Sequence, residues 1–150
     1  MLDKRKFYIN GKWVSPSKPN DLEVINPSTE EAFATISLGS KEDTNSAVSA
    51  AKKALVTWSQ SSKEERINLL EKLLDIYKKR YSEMTEAISM EMGAPMDWSN
   101  DAQTSSGQSH LEDFIVRLKE FKFDEQFSPE SNNRICYEPI GVCGLITPWN

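Results

Sequence analysis

The feature that most restricts what this chain can fold into lies near its end, in the apolar run Ile140-Gly-Val-Cys-Gly-Leu-Ile146, which stops at Thr147-Pro148-Trp149-Asn150. The run is short, β-branched at its ends and broken by Gly141 and Gly144, so it reads as a buried strand rather than a helix. A strand that is apolar on both faces suits a parallel α/β sheet, where helices cover it from either side. Pro148 lacks a backbone donor and pushes Thr147 towards an extended conformation, so the strand is expected to end in a loop there. Ligands of open α/β sheets bind just beyond the carboxyl ends of strands. Residues 147–150 are therefore the leading site candidate.

Composition narrows the function classes. With 150 residues, 38% of them hydrophobic, the chain is large enough to bury a core. Its net charge is −5, with Lys and Arg interspersed among Asp and Glu, which argues against a nucleic-acid surface. No apolar stretch is long enough to cross a bilayer, and the charged Met1-Leu-Asp-Lys-Arg-Lys6 is not followed by the apolar core of a signal peptide. No membrane partner is expected, and a cytoplasmic location is. Cys136 and Cys143 have neither CxxC spacing nor a neighbouring His and read as reduced thiols, Cys143 packed inside the buried strand.

Along the chain, Phe7-Tyr-Ile-Asn-Gly-Lys-Trp-Val14 predicts a hairpin around Asn10-Gly11. Residues 22–25 and 32–38 read as strands around the turn Asn26-Pro-Ser-Thr-Glu30. Ser40, followed by Glu42 and Asp43, starts a helix with an apolar stripe through Ala47, Val48, Ala51, Ala54, Leu55 and Trp58. Ser61 or Ser62 starts a second, carrying Ile67, Leu70, Leu73, Leu74 and Tyr77 on one face. A third runs from about Ser82 to Gly93-Ala-Pro95, and a fourth opens at Asp97 and extends through Leu118. Residues 121–127 and 132–137 look like two strands flanking a polar loop. There is no internal repeat.

Preceded by Glu138-Pro139, the segment Gly141-Val-Cys-Gly-Leu-Ile-Thr-Pro-Trp-Asn150 closely resembles the strand and loop of the NAD(P)-dependent aldehyde dehydrogenase superfamily that ends in a Pro-Trp-Asn signature. Ile9-Asn-Gly-Lys-Trp13 and Asn26-Pro-Ser-Thr29 match family elements in the expected order, so the resemblance spans the chain. It implies an α/β fold, the N-terminal part of the aldehyde dehydrogenase fold, with a Rossmann-like cofactor domain and a projecting β-hairpin for oligomerisation. Residues 1–120 would be the N-terminal part of the cofactor-binding domain, 121–139 the oligomerisation hairpin, and 140–150 the first core strand with its Pro-Trp-Asn loop. The nucleophile, the general base and the catalytic domain would lie beyond residue 150.

The function so implied is oxidation of a small-molecule aldehyde to a carboxylic acid with NAD or NADP through a cysteine thiohemiacetal, in a homodimer or homotetramer. Asn150 would stabilise the oxyanion, a task for which a preorganised amide donor suits the developing charge. Ile146, Thr147, Pro148 and Trp149 would line the cofactor. On the residues alone, Asn150 reads rather as a cap for a following helix and Trp149 as a core aromatic; the resemblance reverses that order for Asn150. Glu91 matches a position that in some members serves a monovalent-cation site with a carbonyl near Ile25, but a solvated carboxylate is the simpler reading and no metal ligand is assigned. His110 has no triad partners, Gly141 and Gly144 lack the spacing of a phosphate loop, and Cys143 in an apolar strand would be a poor nucleophile. The rival is a truncated, non-catalytic module that only folds or oligomerises through the 121–139 hairpin.

Overall fold

The computed structural model describes residues 1–147. Strands β2 (Phe7–Ile9) and β3 (Lys12–Val14) form the expected antiparallel hairpin, with Phe7 opposite Val14 and Ile9 opposite Lys12. Its turn holds Asn10 at φ 52° and Gly11 at φ 75°, the paired positive angles that match the twist of the flanking strands. Strands β4 (Asp21–Asn26) and β5 (Glu31–Ser37) pair antiparallel, with a bulge between Val24 and Ile25. Their turn closes on Asn26, whose side chain accepts from the Ser28 amide at 2.9 Å and whose carbonyl accepts from Glu30 at 2.8 Å. The sheet gains a member the sequence did not suggest: β1 (Leu2–Asp3) runs parallel to β5, giving the order β1-β5-β4. Two residues beside a charged cluster carry no strand periodicity; pairing alone makes them one.

Helix α1 (Lys41–Trp58) starts at Ser40 through a capping box, in which the Ser40 hydroxyl accepts from the Asp43 amide and the Asp43 carboxylate accepts from the Ser40 amide at 2.9 Å. Asp43 also accepts from the Ser17 amide at 2.9 Å, tying the preceding loop to the helix. Helix α2 (Lys63–Lys79) repeats the device with Ser62 and Glu65. Helix α3 (Tyr81–Met92) ends at Gly93 in the left-handed region, φ 70°. The stripe expected on α1 forms but stays largely uncovered: Val48 is 38% and Trp58 47% exposed. Periodicity places residues on one face; it cannot supply the surface that covers them.

The expected fourth helix is three pieces of one helical stretch: α4 (Met96–Trp98), a π segment (Ser99–Thr104) and α5 (Ser105–Glu120). Tyr81 donates its hydroxyl to the Asn100 carbonyl at 2.6 Å and Tyr77 donates to the Thr104 carbonyl at 2.9 Å. Thr85 and Thr104 join hydroxyls at 3.0 Å. These outside partners satisfy carbonyls in the widened turn. Helix α2 packs on α5, where Ile115 and Leu118 are buried, and ion pairs Lys78–Glu112 and Lys119–Glu71, each 2.7 Å, flank the seam. No helix among the described residues is long and apolar enough to cross a membrane.

The final hairpin forms from β6 (Asp124–Gln126) and β7 (Arg134–Cys136), shorter than expected, with Glu125 opposite Ile135. Beyond it the expectation of a buried strand at 140–146 fails. Residues 140–147 carry no strand pairing, and Ile140, Leu145 and Ile146 are 95%, 89% and 97% exposed. Cys143, expected inside the strand, is exposed as well. An apolar run records a capacity for burial, and a strand exists only when an adjacent strand takes its amides and carbonyls. Among the described residues, none does so here.

Candidate functional site

The best site candidate is approached from the side of the fold where the last hairpin meets the α1–α2 corner. Phe121 packs edge-on against Phe123 at 4.9 Å between ring centroids and tilts onto Tyr137 at 5.1 Å. The Tyr137 amide donates to the Phe123 carbonyl at 2.8 Å, closing the base of the hairpin. On the other side of this aromatic group, the Arg66 guanidinium lies 5.3 Å from the Phe123 ring centre. The same guanidinium donates to the Ser61 hydroxyl at 2.9 Å and the Ser59 carbonyl at 3.4 Å. Lys63 donates to the carbonyls of Lys119 at 2.8 Å and Phe121 at 3.3 Å, capping the end of α5.

Ser59, Ser61, Lys63, Arg66, Phe123 and Tyr137 line a cavity of about 580 Å³ together with the chain from Glu138 to Gly141. Two cations, Lys63 and Arg66, thus share a cavity with the Glu138 carboxylate and the aromatic faces of Trp58, Phe123 and Tyr137. Gly141, at φ 125°, closes this root in a conformation that L side chains rarely adopt. From there residues 142–147 lead outward.

Of the residues expected to line a cofactor, Ile146 and Thr147 lie side by side on this outward segment and are exposed. Pro148, Trp149 and the catalytic candidate Asn150 lie outside the described residues. The structure therefore brings together the root of the site, not the site itself. The main-chain amides and carbonyls of residues 142–147 have no hydrogen bond among the described residues, and the apolar Ile146 side chain lies exposed beside them.

The hairpin cysteine is a poor nucleophile. Desolvation first, and then its contact with the Asp124 carboxylate, push the Cys136 thiol above its ordinary value. Asp124 itself is held low by its hydrogen bond from Arg134 at 2.7 Å, a pair that bridges the two strands of the hairpin. His110 is exposed on α5. Glu91 and Val24 both line a second cavity, about 650 Å³, between the three-stranded sheet and helices α2 and α3.

Sequence reasoning did not single out Lys63, Arg66, Phe123 or Tyr137. Each looked like a helix-surface cation or a strand aromatic. The one hint was the aromatic alternation Phe121-Lys-Phe123 with Tyr137 across the loop, which marks a shared hairpin face but not the helix that covers it.

The sequence model of the Aldehyde dehydrogenase family matches residues 13–150. A 3-succinoylsemialdehyde-pyridine dehydrogenase from a Pseudomonas species is 41% identical over 151 aligned residues, covering 100% of this chain and 31% of that protein. The crystal structure of an aldehyde dehydrogenase from Bartonella henselae superposes with a TM-score of 0.86 at 55% identity, covering 88% of this chain and 28% of that one. An aldehyde dehydrogenase from Pseudomonas syringae, solved as a mutant with NAD+ and octanal, gives 0.80 at 33% identity over 83% of this chain and 26% of its own. The chain thus spans about a third of the length of the curated relative it matches.

Proposed function

Because this chain belongs to the aldehyde dehydrogenase family, whose sequence model matches residues 13–150, we propose that it supplies the N-terminal part of an enzyme oxidising an aldehyde to a carboxylic acid with NAD or NADP. The observation that carries the reading is the family-model match over residues 13–150, which takes in the Pro-Trp-Asn signature at 148–150, together with the likeness to a solved aldehyde dehydrogenase at 55% identity and a TM-score of 0.86. The neighbour from Pseudomonas syringae, solved with NAD+ and octanal, supports both the cofactor and the substrate class.

In this reading residues 1–120 form the N-terminal part of the cofactor-binding domain. Residues 121–139 form a hairpin that pairs subunits in a homodimer or homotetramer, and the run from 140, unpaired among the described residues, becomes the first core strand, with its loop to 150, only where a strand from outside these 150 residues pairs with it. Ile146 and Thr147, with Pro148 and Trp149, hold the nicotinamide through main-chain groups and apolar contact. When bound, the nicotinamide supplies a hydride acceptor. A thiolate outside these 150 residues attacks the aldehyde carbon, the carbonyl π pair moves onto oxygen, and the Asn150 side-chain amide donates to that oxygen as it becomes negative. Such a donor acts mainly in the transition state, where it is worth about 3 kcal/mol.

The test is aldehyde-dependent NAD(P)H formation by the protein that carries this chain. Asn150→Ala is expected to lower kcat about 10²- to 10³-fold, with the KM for NAD(P) little changed. An unchanged kcat removes the oxyanion role; no NAD(P)H formation by the unsubstituted protein removes the enzymatic reading.

A further inference from the structure

We propose that Asn10 is a site of spontaneous deamidation, a modification that puts a negative charge and, in one of its products, an extra backbone carbon into the tip of the β2–β3 hairpin. The reaction is internal to the turn. The Gly11 amide nitrogen gives up its proton to hydroxide and bonds to Asn10 Cγ, the bond from Cγ to the side-chain nitrogen breaks, and ammonia leaves behind a cyclic succinimide. Water then opens the ring. Addition at Cγ gives an ordinary aspartate, whereas addition at the main-chain carbonyl carbon breaks its bond to the Gly11 nitrogen and routes the backbone through Cγ as isoaspartate.

Three observations favour attack at this position. The nucleophile is free, because the Gly11 amide makes no hydrogen bond among the described residues and lies outside the strand ladder, whose last pair is Ile9 with Lys12. It is uncrowded, since even a Cβ built on Gly11 would meet nothing within 4 Å. Both turn residues are exposed, so hydroxide and water reach them. Other asparagines lack this combination: Asn26 precedes Pro27, which has no N–H, the amide after Asn68 lies inside α2, and the amide after Asn132 donates to Ser131 Oγ at 3.0 Å. The products differ in what they do to the hairpin. Asp-Gly suits the same turn as Asn-Gly, so the aspartate product keeps it. Isoaspartate lengthens a turn that closes with Ile9 opposite Lys12 and so disturbs that pairing. The Phe7 ring, in the same strand, reaches to 3.8 Å from the Cβ position of Gly39, just ahead of α1, so the disturbance extends to the seat of the hairpin on that helix.

The test holds the protein that carries this chain at mildly alkaline pH, digests it, and sorts the peptides by mass and by labelling with an isoaspartyl methyltransferase. Conversion at position 10 should rise in proportion to hydroxide and run about tenfold or more ahead of conversion at Asn132, because a hydrogen bond on the attacking amide alone slows it by up to about tenfold. Amides of residues 7–14 should exchange with solvent faster in the isoaspartate form, while Asn10→Asp exchanges like the wild type. An Asn10 that survives under conditions in which a free peptide of residues 7–14 converts overturns the proposal, since the fold then protects the site. Conversion no faster than at Asn132 overturns it equally. Wild-type exchange at residues 7–14 in the isoaspartate form overturns the consequence drawn for the hairpin.

Discussion

Gly107 tests how closely the helices are fitted around the π segment. An ideal Cβ built there would collide with the Tyr77 hydroxyl and lie 3.0 Å from Tyr77 Cζ. That hydroxyl is committed, donating to the Thr104 carbonyl at 2.9 Å, and Thr104 is 0% exposed. In an open helix Gly→Ala would stabilise by about 1 kcal/mol through the unfolded chain. Here the methyl displaces a rigid ring whose far end is fixed. Losing the bond to a buried carbonyl costs about 1–3 kcal/mol, and forcing the packing costs about 1–3 kcal/mol more. Against the propensity gain, the net for Gly107→Ala is a loss of about 1–5 kcal/mol. Tyr77→Phe alone should cost about 1–2 kcal/mol by leaving the carbonyl without its donor. In the double variant the two losses should overlap, giving a coupling of about 1–2 kcal/mol in urea-denaturation midpoints. A Gly107→Ala variant as stable as the wild type, or strict additivity with Tyr77→Phe, would refute the reasoning.

Two further outcomes are expected. Gly93→Ala meets both a left-handed φ of 70° and a Cβ only 2.8 Å from Pro27 Cγ, and should lower stability by about 2–3 kcal/mol; an unchanged thermal midpoint would show that α3 does not need this glycine to dock on the β4–β5 turn. Asp43 is held below its ordinary value of 3.8, first by the Ser40 amide and then by the Ser17 amide. Because the folded value is the lower one, its carboxylate contributes stability fully above the unfolded value and loses it as pH falls through the folded one. The stability gap between wild type and Asp43→Asn, followed by urea denaturation, should therefore be constant near neutral pH and shrink below about pH 3.8; a gap independent of pH would contradict the capping geometry.

Local chemistry was the most legible part of this molecule. Asn10-Gly11, Ser40 with Asp43, and Gly93 each produced the turn, cap or stop that their side chains favour, because those signals depend on atoms a few residues apart. Signals that depend on a partner were less faithful. Leu2 and Asp3 became a strand because β5 offered an edge, whereas the far more strand-like run at 140–146 stayed unpaired. The π segment was invisible for a similar reason: its register is supported by Tyr77 and Tyr81, hydroxyls brought from elsewhere in the chain. The candidate site divides along the same line. Its signature was readable as a motif, while the Arg66 and Phe123 contacts beneath its root arise only when α2 meets the last hairpin.

The buried residues have a thermal consequence. Among the described residues the buried apolar side chains are Ala34, Ile115 and Leu118, against buried Thr35, Ser37, Asp43, Thr85, Ser99 and Thr104. Exposure of apolar surface raises the heat capacity on unfolding and exposure of polar surface lowers it, the average being about 12–15 cal/mol/K per residue. With hydroxyls in place of much of the usual hydrocarbon, this region should fall below that average. Its stability curve is then shallow: enthalpy and entropy of unfolding drift slowly with temperature, and the hydroxyl-bonded joint around Thr104 responds less to cooling than a hydrocarbon core would.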